Sequence, residues 1–354
     1  MQIHQILAGY ADGDAISNEA ALLREIFRRW GHKSEIYADL SRVSPSLTTD
    51  CRALADYTAG ASDICLHHYG IASPATGVFL ASAARKIMVY HNITPAEYFG
   101  GFDDAVAAQL RAARLALPEV ARRSDAVWTV SQFNAAELQA AGIANVKVFP
   151  LLFPPTPPDL PPDPLILKKF AGPLKNILFV GRIAPNKRIE DLILAFAWYH
   201  RALNPFSRLI IIGSKRSAAR YYTMLRMLAG DLDLSNLCFE GFVSSARLSA
   251  YYRTADLYVS ASAHEGYCLP LVEAMAHGIP VIARAAGGTP EAMDGAGVLY
   301  DDLAPAELGA LFDRVLTDAA LREEIIASQS RRVRRARERN PESEVQALMA
   351  GMLG

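Results

Sequence analysis

Residues 150–164 carry eight prolines. Proline donates no backbone hydrogen bond and locks φ, so neither a helix nor a central strand passes through such a stretch. A chain of 354 residues interrupted there divides into two halves, each long enough to bury a core of its own. The division predicts a first domain over 1–150, an extended and semi-rigid connection over 151–165, and a second domain over 166–340.

Both halves show the same rhythm of short apolar runs and helix-period segments. In the first, residues 3–8 predict a buried strand, 9–18 a loop, 19–30 a helix with Leu22, Leu23, Ile26, Phe27 and Trp30 at helical spacing, and 34–38 a second strand. Residues 62–69 and 86–91 are further strands; 102–123 is a long Ala-rich helix, 126–130 a strand, 134–141 a helix with Ser131 at its N-cap, and 146–149 a last strand. Open α/β sheets place ligands at the carboxyl ends of their strands. Gly9 and Gly13 occupy such a loop, but the pattern is not G-x-G-x-x-G, and on their own they read as simple turn glycines. His91, where its strand stops, reads either as a structural residue or as a group that faces a cleft and hydrogen-bonds a substrate hydroxyl. His67 and His68 read as structural.

The second half restarts at 176–180, a strand leading into Gly181, Arg182 and Lys187; strands follow at 208–212, at 237–240 before Gly241, at 255–260 and at 280–284. The predicted class is α/β, two Rossmann-like domains with parallel sheets facing across a cleft. Half the residues are hydrophobic and the formal net charge is -1, which gives no support to a nucleic-acid partner. The cysteines (Cys51, Cys65, Cys238, Cys268) form no C-x-x-C pair, which points away from zinc or a disulfide framework and towards a reducing, cytoplasmic compartment. No apolar run reaches the roughly 20 residues of a membrane span.

The densest chemistry lies in residues 264–273, where Glu265 and Glu273 bracket a turn and the start of a helix that opens near Pro270. Backbone N–H groups of Gly266, Tyr267, Cys268, Leu269 and on to Leu271 gather at that helix N-terminus, a setting that receives anions. Carboxylates for hydroxyls and N–H groups for phosphate suit a ligand combining sugar, diphosphate and ribose. The plainer reading makes Glu265 a turn cap and Glu273 a solvated first-turn acid. Arg182 and Lys187 likewise read as a solvated basic loop or as a grip on diphosphate.

Taken together, Glu265-x7-Glu273, the Gly181-Arg182…Lys187 loop and Gly287-Gly288-Thr289-Pro290-Glu291 resemble the GT-B fold retaining glycosyltransferases of family 4, the group 1 or glycogen-synthase-like transferases. The resemblance implies that Glu265 meets hydroxyls of a donor sugar, Glu273 a ribose, and Arg182 and Lys187 the diphosphate. It implies help at the diphosphate from backbone N–H groups near residues 268–271, catalytic roles for His91, Arg182, Lys187 and Glu265, and donor contacts from Gly13, Gly181, Gly241, Gly266, Tyr267, Cys268, Leu269 and Glu273. Many members carry a Gly-Gly loop where this chain has Asp12-Gly13-Asp14. The implied reaction retains configuration and needs no cofactor or metal, with a nucleotide-diphosphate sugar as co-substrate and a saccharide or lipid-linked oligosaccharide as acceptor. The last helix, 341–354, would pack back on the first domain.

The segment 90–95 looks like polysaccharide mannosyltransferases, which makes GDP-mannose the first donor expected and a UDP-sugar the second. A non-catalytic nucleotide-sugar binder is the competing reading; a nicotinamide oxidoreductase lacks its glycine fingerprint. Residues 331–339 hold six arginines on one predicted helix, either a solvated face or a peripheral contact with anionic lipid at the inner face of the membrane.

Overall fold

The computed structural model describes residues 1–151, 161–215 and 218–353. Most of the proline-rich connection, 152–160, lies outside the described residues. The chain divides into two compact units, one of Met1–Ala96, Ala105–Leu152 and Asn340–Gly354, the other of Glu97–Asp104 and Phe153–Arg339.

The first unit contains β1 (Ile3–Leu7), α1 (Ala15–Arg29), β2 (Ile36–Ala38), β3 (Arg52–Ala53), β4 (Ile64–Tyr69), α2 (Pro74–Ala81), β5 (Arg85–Tyr90), the body of α3 (Asp104–Arg122), β6 (Ala126–Thr129), α4 (Gln132–Ala140) and β7 (Val146–Val148). Its seven strands are parallel, in the order β3-β2-β1-β4-β5-β6-β7. Parallel strands covered on both faces are buried, as β1, β4 and most of β5 are along their length, although β1 carries His4 and Gln5 and β4 His67 and His68. The expected N-cap is present: Ser131 Oγ accepts from Asn134 N–H at 3.1 Å, although α4 begins two residues earlier than its apolar spacing suggests.

The second unit contains α5 (Pro164–Phe170), β8 (Lys175–Val180), α6 (Ile189–Ala202), β9 (Ser207–Ile212), α7 (Ala219–Asp231), β10 (Leu237–Gly241), α8 (Ser245–Thr254), β11 (Leu257–Ser260), α9 (Leu269–Ala276), β12 (Val281–Arg284), α10 (Thr289–Met293), β13 (Val298–Tyr300), α11 (Pro305–Thr317) and α12 (Ala319–Glu338). Its six parallel strands run β10-β9-β8-β11-β12-β13. The core joins β8, β9 and β11 to α6 and α11 through Phe179, Phe196, Tyr199, Ile211, Val259 and Phe312.

Pro164, expected at the end of the connection, instead opens α5. Asp163 caps that helix by accepting from the N–H groups of Leu165 and Ile166, and a proline in the first turn forfeits no hydrogen bond. Helices α2, α7, α8 and α11 are additions to the elements predicted from apolar spacing. Two segments also join the unit other than the one their chain position suggests. The short turn 97–104 belongs to the second unit, where the Phe102 ring meets Tyr221 edge-on at 5.3 Å. The final helix α13 (Pro341–Met349) belongs to the first, where Val345, Met349 and Met352 pack with Leu23, Phe27 and Trp128. Glu342 accepts there from Trp30 Nε1 at 2.9 Å and from Arg29 Nη2 at 2.9 Å.

Candidate functional site

In each sheet the strand order reverses once, between β1 and β4 and between β8 and β11. Loops that leave the carboxyl ends of neighbouring strands in opposite directions open a crevice there, the usual ligand position in such folds. In the second unit these loops are 181–188 and 261–268.

Loop 181–188 continues the pairing beyond β8: Gly181 N–H donates to Ile212 O at 3.0 Å and Ile183 N–H to Ser214 O at 3.1 Å. The approach requires Gly213, since a Cβ there would stand 1.7 Å from Gly181 O. Residues 185–187 form a 3-10 turn, and Arg188, at φ 50, starts α6 from the left-handed region. Asn186 then ties this loop to the one after β11, donating through Nδ2 to His264 O at 3.0 Å and accepting from Ala263 N–H at 2.9 Å. The two ties bring Lys187 Nζ to 2.6 Å from Glu265 Oε1, with 14% and 9% of the side chains exposed. Burial alone would raise the Glu265 pKa; the ammonium of Lys187, with Ser262 and Cys268, holds it below the ordinary carboxylate range. Arg182 is exposed on the same loop.

Glu265 and Gly266 rest on a glycine floor. A Cβ on Gly287 would lie 2.3 Å from Glu265 O, one on Gly288 2.3 Å from Gly266 O, and Gly288 N–H donates to Glu265 O at 2.8 Å. Cys268, buried and at φ 76, caps α9 from the left-handed region, which costs a non-glycine residue about 1–2 kcal/mol. Pro270 is the second residue of α9 rather than its first, and Leu271 N–H closes on Cys268 O at 3.3 Å. The expected group of N–H donors therefore narrows to residues 266–269. Glu273, inside α9, accepts from Tyr252 Oη at 2.8 Å; burial raises its pKa against that hydrogen bond. It is not the solvated acid of the plainer reading. Gly241, at φ +70, ends β10 beside an irregularity in the pairing, and its carbonyl accepts from Gly213 N–H at 2.9 Å.

The arginine run is not a uniform solvated face. Arg332 is buried, donating to Ala292 O at 3.1 Å and to Tyr267 Oη at 2.8 Å, so α12 braces the Glu265 loop. Arg335 pairs with Asp294 at 2.6 Å, while Arg331, Arg334 and Arg337 are exposed. Charge density alone does not distinguish an arginine that anchors a tyrosine from one in water.

In the first unit, Gly13 is exposed at φ +70, and Asp14 caps α1 by accepting from Ser17 N–H at 3.0 Å. His91 lies just after β5, its side chain buried. Its side chain is 3% exposed, stacks on His68 with ring centroids 5.0 Å apart, and places Nε2 at 2.8 Å from His68 Nδ1 and 3.5 Å from Glu19 Oε2. Burial and the neighbouring His67 push its pKa down to about 3, so His91 is neutral at physiological pH. His67 is structural as expected, pairing with Ile6 O at 3.0 Å and Thr76 Oγ1 at 3.1 Å; His68 is instead the direct partner of His91. Asn92, at φ 79, anchors the turn by donating to Asn134 Oδ1 at 2.9 Å and Glu137 Oε2 at 3.1 Å. Arg114 holds Glu137 at 2.7 Å and Ile93 O at 2.7 Å. Glu19, His68 and His91 form a group with metal-ligand chemistry, their ligand atoms lying within 4.8 Å of one another. Among the described residues no helix is long and apolar enough to cross a membrane.

Residues 168–332 match the family model described as "Glycosyl transferases group 1". A D-inositol 3-phosphate glycosyltransferase of Thermomonospora curvata is 34% identical over 165 residues, 45% of this chain and 38% of that protein. A GDP-mannose-dependent alpha-mannosyltransferase of Mycolicibacterium smegmatis is 33% identical over 135 residues, 38% of this chain and 29% of that protein. The aligned part of the chain thus covers well under half the length of either relative. Among solved structures, sucrose-phosphate synthase from Thermosynechococcus elongatus superposes with a TM-score of 0.76 at 18% identity, covering 100% of this chain and 98% of that one. Anabaena HepE in complex with UDP-glucose superposes with a TM-score of 0.73 at 20% identity, covering 100% and 99%. The fold is the one these proteins share, GT-B.

Proposed function

We propose, from the place of residues 168–332 among the group 1 glycosyltransferases, that this chain moves a glycosyl group from a nucleotide-diphosphate sugar to a saccharide hydroxyl. The observation that carries the reading is the Lys187–Glu265 pair, 2.6 Å apart on the two loops that flank the switch point of the second sheet. A cation and a carboxylate held there supply one group for a leaving diphosphate and one for sugar hydroxyls.

In this reading the donor takes over both partners. Lys187 and the exposed Arg182 turn to the diphosphate, Glu265 to hydroxyls of the sugar and Glu273 to the ribose. Backbone N–H groups of residues 266–269 and the positive end of α9 add to the field on the phosphates. As the bond from the anomeric carbon to the diphosphate oxygen breaks, negative charge grows on that oxygen, where the cations stabilise it most. The acceptor oxygen forms its bond to the same carbon from the same face, and the departing diphosphate oxygen takes its proton, which retains configuration. Side-chain cations fill the part that a metal plays in other diphosphate chemistry, so turnover is expected without one. His91 serves as a neutral hydrogen-bonding group.

GDP-mannose is the first donor to test, supported by the 90–95 segment and by the relative whose name specifies that donor; UDP-sugars come next. A polysaccharide or lipid-linked oligosaccharide acceptor, met at the cytoplasmic face of a membrane with the exposed arginines of 331–339 nearby, completes the proposal. The test incubates the protein with GDP-mannose, UDP-glucose or ADP-glucose and a panel of saccharide acceptors, with and without EDTA. Release of nucleoside diphosphate and the anomeric coupling of the product are read by NMR. Retained configuration and EDTA-insensitive turnover are expected. Binding with no release for any pair identifies a nucleotide-sugar binder instead.

A further inference from the structure

Four polar groups stand in a buried row in the first unit: the Ala20 carbonyl, Gln5 on β1, His68 on β4 and His91 just after β5. We propose that Gln5 and His68 fix the tautomer of His91, so that His91 offers a ligand hydroxyl only a hydrogen-bond acceptor, Nδ1. The proposal rests on the glycosyltransferase reading for the identity of the ligand, not for the tautomer itself.

The direction of each bond follows from the one before it. A carbonyl only accepts, so the group 2.7 Å from Ala20 O is the Gln5 amide nitrogen, and the Gln5 oxygen faces the other way. That oxygen lies 2.9 Å from His68 Nε2, which therefore carries the proton. A neutral imidazole has one N–H, leaving His68 Nδ1 as a lone pair. His91 Nε2, 2.8 Å away, must then be the donor, and the lone pair of His91 falls on Nδ1. Glu19 Oε2, 3.5 Å from His91 Nε2, favours a proton on that same nitrogen. Burial and the neighbouring imidazoles keep both rings uncharged, the condition the assignment requires.

A metal shared by Glu19, His68 and His91 is the competing account. Two imidazole nitrogens on one tetrahedral zinc sit roughly 3.3 Å apart, given metal–nitrogen bonds of about 2.0–2.1 Å. The observed 2.8 Å is a hydrogen-bond separation. Gln5 and His68 are thus positioning residues, and a His91 whose polarity is set this way selects a hydroxyl hydrogen and disfavours an acceptor at the same point.

Long-range 1H–15N correlation on the isotopically labelled full chain at pH 7 reads the tautomer without donor or acceptor. Protonated Nε2 and unprotonated Nδ1 on His91 are expected. An Nδ1–H tautomer, an imidazolium, or stoichiometric transition metal by elemental analysis overturns the inference. Gln5→Met removes the acceptor that orients His68; His91 is expected to show mixed tautomers, and kcat/KM for the donor to fall about tenfold. Gln5→Glu keeps an acceptor oxygen and should keep the tautomer. If Gln5→Met lowers Tm while the tautomer stays unmixed, Gln5 is merely structural and the inference fails. A wild-type protein with the expected tautomer that transfers no sugar overturns the part of the tautomer in transfer together with the functional reading. Transfer by a protein with the opposite tautomer overturns this inference alone.

Discussion

The loops of the second unit and the histidine row of the first are both built at a strand-order reversal, but by different means. In the second unit, backbone fits against backbone: Gly213 under Gly181, Gly287 and Gly288 under Glu265 and Gly266, with one ion pair between two loops. In the first unit, side chains from β1, β4, α1 and the end of β5 meet in a buried polar row. Close backbone approach tolerates glycine and little else, so it leaves a local and directional mark in sequence. A long-range side-chain row leaves only isolated polar letters in apolar strands.

The contrast predicts where substitutions act most sharply. Lys187→Ala strands a buried carboxylate, with an expected loss of about 3–5 kcal/mol by chemical denaturation. Transfer activity should fall about 10²–10³-fold, and a variant as stable as the parent would show that the pair holds no loop together. Gly288→Ala forces its Cβ against Gly266 O and should lower stability by about 1–3 kcal/mol while raising the donor KM; an unchanged melting curve would break the backbone account.

The two acids of the E-x7-E pattern should answer pH with opposite signs. Glu265 has a folded pKa below its ordinary 4.5, so its contribution is present above that value and is lost as pH falls through the folded pKa. Glu273 has a folded pKa above 4.5, so the protein loses stability from it as pH rises through 4.5 towards the folded value. Glu265→Gln is expected to be less stable than wild type at pH 7 and Glu273→Gln equal or more stable. Melting curves between pH 3.5 and pH 7.5 read the difference, and the same sign for both variants would contradict it. Replacement of the exposed Arg331, Arg334 and Arg337 by serine should move stability by less than about 0.5 kcal/mol. Flotation with anionic vesicles then decides whether they meet lipid.

What was legible in the sequence follows the same division. The strand–loop–helix units around Lys187 and Glu265 were readable because apolar strands, glycines and Pro270 lie within a few residues of one another. The pairing of those two side chains was not, since each alone looked like a ligand group and their separation in sequence hid the contact. Pro164 misled, because a proline at the start of a helix and one in a linker are the same letter until Asp163 is seen capping. The end of its strand marks His91 in sequence, but nothing local records the stacked His68 or the nearby Glu19. In sequence Arg332 is one charge in a row, and only the fold shows it donating to Tyr267.

We propose that Lys187, Arg182 and Glu265 of the second unit hold the diphosphate and the sugar of the donor. Titration calorimetry of GDP-mannose and UDP-glucose into wild type, Arg182→Ala and Lys187→Ala tests it most directly. The expected result is saturable one-to-one binding of at least one donor, weakened tenfold or more by each substitution, a change of about 1.4 kcal/mol or greater. Equal affinity in all three proteins, or no binding by the wild type, would contradict it.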